Sequence, residues 1–164
     1  MIIIIMGVCG SGKTTIGKKL SEAMNFKFVE GDSFHSKTNI KKMSRGEPLT
    51  ECEREPWLKT IRKEIDHRLE QRIQSVITCS ALTRKSREIL DTNRAEIKLI
   101  YLYAPQSILA DRMAKRKNHF MPPDLLRSQF EVLEEPELRK ALHVPVNMDS
   151  TEVTEYIIKE LTKS

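Results

Sequence analysis

Residues 2 to 15, Ile2-Ile3-Ile4-Ile5-Met6-Gly7-Val8-Cys9-Gly10-Ser11-Gly12-Lys13-Thr14-Thr15, leave this chain few architectures to choose from. Four successive isoleucines are β-branched, stiff at χ1 and apolar on both faces, which suits a strand buried on both sides of a parallel sheet and ill suits a helix. From Gly7 the residues fit Gly-x-x-x-x-Gly-Lys-Thr, the phosphate-binding loop. Ile16, Leu20, Ala23 and Met24 follow at helical spacing, so the loop has the strand before it and the helix after it that the pattern requires.

Gly7, Gly10 and Gly12 carry no side chain and reach φ > 0, so successive N–H groups can turn inward around a phosphate. The helix that begins near Lys13 adds the positive end of its dipole. Lys13 is placed to reach the β- and γ-phosphates, and the Thr14 hydroxyl to ligate Mg²⁺. The nucleotide-binding set is therefore Gly7, Val8, Cys9, Gly10, Ser11, Gly12, Lys13, Thr14 and Thr15, with ATP and Mg²⁺ as cofactors. A glycine-rich turn with no ligand is the competing reading, and the flanking strand and helix outweigh it.

A chain of 164 residues is most simply one domain, here residues 1–164, that buries about two-thirds of the surface its unfolded form exposes. Its 28 basic and 23 acidic residues leave a net charge of +5 scattered without like-charge runs. That balance does not call for nucleic acid; the basic excess is accounted for by two anions, a nucleoside triphosphate and an acidic substrate. Three cysteines, Cys9, Cys52 and Cys79, in no Cys-x-x-Cys spacing indicate neither a disulfide framework nor a zinc site, and fit a reducing cytoplasm. The apolar start lacks a basic leader and runs into the glycine loop, so it reads as a strand, and no stretch nears the roughly 18 apolar residues of a membrane helix.

Along the chain, Phe26–Glu30 alternates like a second strand and ends at Glu30-Gly31-Asp32, carboxylates that face the phosphate site if the sheet is open and parallel. Residues 33–58 form a polar stretch with short helical segments, too long for a plain connection, and read as a substrate-binding excursion. Leu58, Ile61, Ile65 and Leu69 mark a helix, Ser75–Cys79 a third strand, and Arg84, Lys85 and Arg87 a basic group behind Ser80-Ala81-Leu82. Ile97–Tyr103 is a fourth strand and Pro105 opens the next helix, on which Arg112 and Arg116 share a face. Breakers at residues 117–123 and a helix Leu125–Leu133 make residues 116–130 either a basic lid or a surface loop. Ala141–Val146 is a weak fifth strand, because Pro145 cannot donate to a ladder, and Val153, Ile157 and Leu161 line a closing helix. The whole is an α/β chain: a central parallel sheet of about five strands in a three-layer αβα P-loop NTPase fold.

Several segments are narrower signals than the loop. Glu30-Gly31-Asp32-Ser33-Phe34-His35, Asn39-Ile40-Lys41-Lys42-Met43, Gly46-Glu47-Pro48-Leu49, Arg54-Glu55-Pro56-Trp57-Leu58, Cys79-Ser80-Ala81-Leu82, His119-Phe120-Met121-Pro122 and Ser128-Gln129-Phe130-Glu131-Val132-Leu133-Glu134 occur in that order. Together they closely resemble the gluconokinases, of the nucleoside-monophosphate-kinase-like and shikimate-kinase-like branch of phosphate-loop proteins. The resemblance implies ATP-dependent phosphorylation of D-gluconate at its terminal hydroxyl to 6-phosphogluconate, and a homodimer.

It further implies that Asp32 holds or deprotonates the acceptor hydroxyl, that Glu30 helps hold Mg²⁺ through water, and that Arg112 and Arg116 close over the β- and γ-phosphates. Arg54 is the expected partner of the substrate carboxylate, because a planar guanidinium makes two parallel charge-assisted bonds to it. His35, Asn39, Lys42 and Arg87 are expected to supply donors to the polyol and carboxylate. His119 is expected to order the lid, and Met43, Trp57, Phe120 and Phe130 to pack. The chain departs from the family at Glu30 and Glu53, where Asp is frequent, at Thr83–Arg87, where a lysine and a tyrosine are missing, and at Cys9, commonly Ser. Cys9 is then either an inert small side chain or a reactive thiol beside Lys13. Two other functions stay open: a kinase for another sugar acid or a shikimate-like hydroxy acid, and a nucleotide-binding module without turnover.

Overall fold

The computed structural model describes residues 1–115 and 124–163. Five parallel strands, β1 (Ile2–Met6), β2 (Lys27–Glu30), β3 (Ser75–Thr78), β4 (Ile97–Tyr103) and β5 (Leu142–Pro145), lie in the order β2-β3-β1-β4-β5. Helices α1 (Lys13–Met24), α2 (Lys37–Ser44), α3 (Glu51–Glu70), α4 (Arg84–Leu90), α5 (Gln106–Lys115), α6 (Asp124–Val132) and α7 (Ser150–Thr162) connect them. Because β1 is central and its successors go to both sides, the crevice opens beyond its carboxyl end, where the glycine loop stands.

The alternation of side chains along β1 divides the core in two. Ile3 and Ile5 join Val76, Ile100, Leu102 and Val144 under Ile16 and Leu20 of α1, Leu109 and Met113 of α5, and Val153 and Ile157 of α7. Ile2, Ile4 and Met6 join Ile77, Leu99 and Tyr101 under Trp57, Leu58, Ile61 and Ile65 of α3. No residue of β1 is exposed, and each buried isoleucine contributes roughly 1.5–3 kcal/mol of transfer free energy. That full burial fixes the register and, with it, the point at which Gly7 leaves the sheet.

Several details differ from the sequence expectation. Phe26 is not the first residue of β2: its N–H donates to the Ser21 carbonyl at 2.8 Å, closing the end of α1. The helix expected around Leu58 begins at Glu51, so residues 51–58 of the excursion are its first turns. Thr50 and Glu53 form a reciprocal capping box there, and Pro56 is accommodated inside the helix. The fifth strand tolerates Pro145 because β5 is an edge strand, and the Val146 N–H donates to the Tyr103 carbonyl at 2.9 Å, resuming the ladder beyond the proline. Of the lid expected at 116–130, residues 124–130 belong to α6, while residues 116–123, with Arg116, His119 and Phe120, lie outside the described residues.

Candidate active site

The loop presents backbone because its side chains are spent on the core. Val8 and Cys9 are buried beneath it with Met113, and Ser11 is wholly buried. Gly12, at φ +88°, is the N-cap of α1 and brings no side-chain cap to the helix, so its first amides are turned toward the crevice. Lys13 folds back over this cradle, donating to the carbonyls of Gly7 at 2.9 Å and Val8 at 3.0 Å. The Cys9 thiol donates to the Met113 sulfur at 3.5 Å and is buried, so it packs beneath the loop.

The acidic end of β2 is held against the loop by its own carboxylate. Glu30 accepts from the Thr14 hydroxyl at 2.5 Å on one oxygen and from the Thr78 hydroxyl at 2.5 Å on the other. Thr14 and Glu30 thus put two hard oxygen donors side by side. Thr78 was not singled out by the sequence, since a threonine ending a buried strand carries no pattern of its own. Gly31 follows, where a Cβ would lie 1.9 Å from the Thr78 carbonyl oxygen, so only glycine lets the turn lie flat on β3. Its carbonyl accepts from the Trp57 indole N–H at 2.8 Å. The 3-10 turn Gly31–Phe34 then carries Asp32 over the crevice.

Asp32, His35, Met43, Leu49, Arg54, Trp57, Ser80, Leu82, Leu125, Ser128 and Gln129 line a cleft of about 230 Å³. Two of its residues also touch the phosphate loop: Ser80 accepts the Gly7 N–H at 3.3 Å through its carbonyl, and Gln129 Oε1 accepts the Cys9 N–H at 2.7 Å. The cleft and the cradle are therefore neighbours. Burial pushes the Cys79 thiol up to about 12, with Asp32 and Glu30 acting in the same direction and Lys13 opposing them. Charges from both sites converge on that one sulfur.

Of the residues expected to contact the acceptor, Asp32, His35 and Arg54 line the cleft and three others do not. Asn39 Nδ2 donates to the Glu53 carbonyl at 3.1 Å and Lys42 Nζ pairs with the Glu53 carboxylate at 2.7 Å. Both secure the start of α3, one residue before Arg54. Arg87, expected as a substrate donor, is turned to structure: it donates to the carbonyls of Ala81, Leu82 and Glu134 at 2.9, 3.2 and 2.8 Å. That staples the left-handed turn at Ala81, φ 44°, to the chain after α6. Among the described residues no side chain pairs with the Arg54 guanidinium, although Arg62, Arg68 and Arg94 all have carboxylate partners. A half-buried guanidinium left facing a cleft calls for an anionic ligand.

Arg112 lies beside the phosphate loop. It donates to the Val146 carbonyl and lines a second cavity, about 240 Å³, with Gly12, Thr15, Val146, Met148 and Ser150. This cavity shares no lining residue with the cleft that holds Asp32. Gln129 is a residue the sequence quoted without a role; its reach to Cys9 depends on how α6 packs, and no local signal announces it.

Comparison with known proteins agrees with this geometry. The family model for shikimate kinase matches residues 9–163. The thermosensitive gluconokinase of Escherichia coli K12 is 38% identical over 154 residues, covering 93% of this chain and 82% of that protein. The gluconokinase of Gluconobacter oxydans 621H is 40% identical over 134 residues, 82% of this chain and 75% of that one. The crystal structure of a gluconokinase from Sinorhizobium meliloti 1021 superposes with a TM-score of 0.86 at 39% identity, covering 98% of this chain and 91% of that one. A phosphate loop, an acid at the end of the next strand and relatives of this closeness lead to one assignment: the chain is a kinase and belongs to the gluconokinase family, on the fold of the shikimate kinases.

Proposed function

We propose that this protein transfers the γ-phosphoryl group of ATP to the terminal hydroxyl of D-gluconate, giving 6-phospho-D-gluconate. The observation that carries the reading is the cleft beside the phosphate loop, lined by an acid, Asp32, and by a guanidinium, Arg54, that pairs with no side chain among the described residues; they meet two needs of one substrate, an alcohol to be phosphorylated and a carboxylate to be held. The relatives named gluconokinase support the same acceptor.

In this reading Arg54 clamps the acceptor carboxylate through two parallel bonds, and Asp32 aligns the hydroxyl with the γ-phosphorus. Because the transition state is loose, alignment matters more than early proton removal. Lys13 leaves the Gly7 and Val8 carbonyls for the β- and γ-oxygens, while the α1 amides hold the β-phosphate. Arg112, beside Gly12 and Thr15, and Arg116 keep the expected role over the phosphates. The donor set fits Mg²⁺: the Thr14 hydroxyl and the Glu30 carboxylate, in contact, are hard oxygen donors of the kind an ion held mainly by substrate phosphates takes. When bound, it neutralises charge on the β- and γ-oxygens. No helix among the described residues is long and apolar enough to cross a membrane. We place the enzyme in a reducing cytoplasm, where its unbridged cysteines are at home, and as a homodimer, which light scattering checks.

The deciding measurement is coupled ADP release with gluconate set against other sugar acids and shikimate. Turnover with gluconate well above the rest is expected. Preference for shikimate, in line with the matched family model, would move the acceptor, and ATP binding without turnover on any acceptor would leave a nucleotide-binding module.

A further inference from the structure

His35 entered as a donor to the substrate, but its surroundings give it a different task. Its side chain is 3% exposed, against 26% for Asp32, so it is mostly covered where the acid is reachable. The ring stacks on Trp57 with centroids 4.0 Å apart and planes at 16°. Trp57 is itself anchored by its bond to the Gly31 carbonyl, and the His35 N–H donates to the Asp32 carbonyl at 3.2 Å, closing the turn that carries both side chains. The imidazole can therefore neither swing out nor slide. Its Nδ1 is buried without a hydrogen-bond partner among the described residues, while Nε2 lies 4.0 Å from Asp32 Oδ1.

That asymmetry fixes the tautomer. Burial lowers the His35 pKa to about 4, so at neutral pH the ring carries one proton on one nitrogen. A proton on Nδ1 would be a buried donor with nothing to meet, the rarer and costlier kind of orphan, whereas a proton on Nε2 faces a carboxylate. Resting on the kinase reading above, we propose that His35 is a positioning residue: its Nε2–H is aimed at Oδ1 of Asp32 and orients that carboxylate for the acceptor hydroxyl. The present separation is longer than a hydrogen bond, as catalytic contacts in ligand-free enzymes commonly are, and it shortens when the acceptor fills the cleft. His35 neither binds the polyol nor carries its proton.

Two measurements test this. In the ¹⁵N-histidine-labelled wild-type protein at pH 7, long-range ¹H–¹⁵N correlation should report His35 as the neutral Nε2–H tautomer; an Nδ1–H tautomer or an imidazolium overturns the proposal. In kinetics, His35→Phe keeps a flat ring on Trp57 and loses the donor, and should lower kcat by roughly 10²-fold, with KM for the acceptor changed less than about threefold. His35→Gln, which restores an N–H, should recover part of the loss. A raised acceptor KM with kcat intact would make His35 a substrate ligand and overturn the inference. If wild-type enzyme phosphorylates no sugar acid, the functional reading falls while the tautomer measurement still decides the placement of the proton.

Discussion

The phosphate loop and the acceptor cleft stand side by side and are built by opposite means. The loop takes its ligand groups from residues 7 to 15, nearly all of them backbone, held by a strand with no exposed residue. The cleft draws its lining from Asp32 to Val132, on the 3-10 turn, α2, α3, the end of β3 and α6. A backbone site needs only the right turn, so it tolerates Cys9 where Ser is common, because that side chain is buried against Met113. A side-chain site depends on how each segment is braced. Here the braces are bonds within the protein: Glu53 gripped by Asn39 and Lys42, and Arg87 on three carbonyls. Gln129 and Ser80 join the two regions.

That contrast breaks first at Asp32. Asp32→Asn should leave nucleotide affinity intact, as measured by calorimetry, and lower kcat by about 10²–10⁴-fold in the coupled assay. A loss of nucleotide binding instead would mean that the two regions are not separable. Next in size, Arg54→Lys replaces a fork by a point charge and should raise the acceptor KM roughly 10- to 100-fold with kcat and the ATP KM nearly unchanged. Gln129→Met examines the joint itself. It strips the partner from the Cys9 N–H at a cost of about 1–3 kcal/mol, so both KM values should move together and the thermal midpoint should drop. The smallest effect is on stability. The His35 imidazole takes up a proton below about 6.5 in the unfolded chain but only near 4 when folded, so the unfolded state binds more protons between those values. Stability should therefore fall as the pH drops through that window, more steeply in wild type than in His35→Phe, by calorimetric Tm against pH.

Much of the site was legible because its signals are local. Ile2–Ile5 running into Gly7, Gly10 and Gly12 specify strand and cradle within a few residues, and Glu30-Gly31-Asp32 at a strand end specifies acids beside it. Arg54 was readable as an anion partner from its chemistry, and the structure leaves its guanidinium without a protein partner among the described residues. For Asn39, Lys42 and Arg87 the chemistry alone said less: a donor on a polar stretch looks like a ligand whether it meets a substrate or a protein acceptor, and the acceptors these three meet are set by how the turns and helices pack. Arg112 is held in the same way by a residue distant in the chain, since its tie to the Val146 carbonyl sets it beside Gly12 and Thr15.

The order of residues alone settled the parallel sheet, the amide cradle and the acid on the neighbouring strand, because each follows from backbone preference and apolar patterning within a short window. Only the tertiary structure decided which polar side chains line the cleft, that Thr78 bonds Glu30 and Gln129 the Cys9 N–H, and that His35 stacks on Trp57 near Asp32. Those outcomes rest on hydrogen bonds whose partners lie far apart in the chain, and a buried donor takes whatever acceptor packing brings to it.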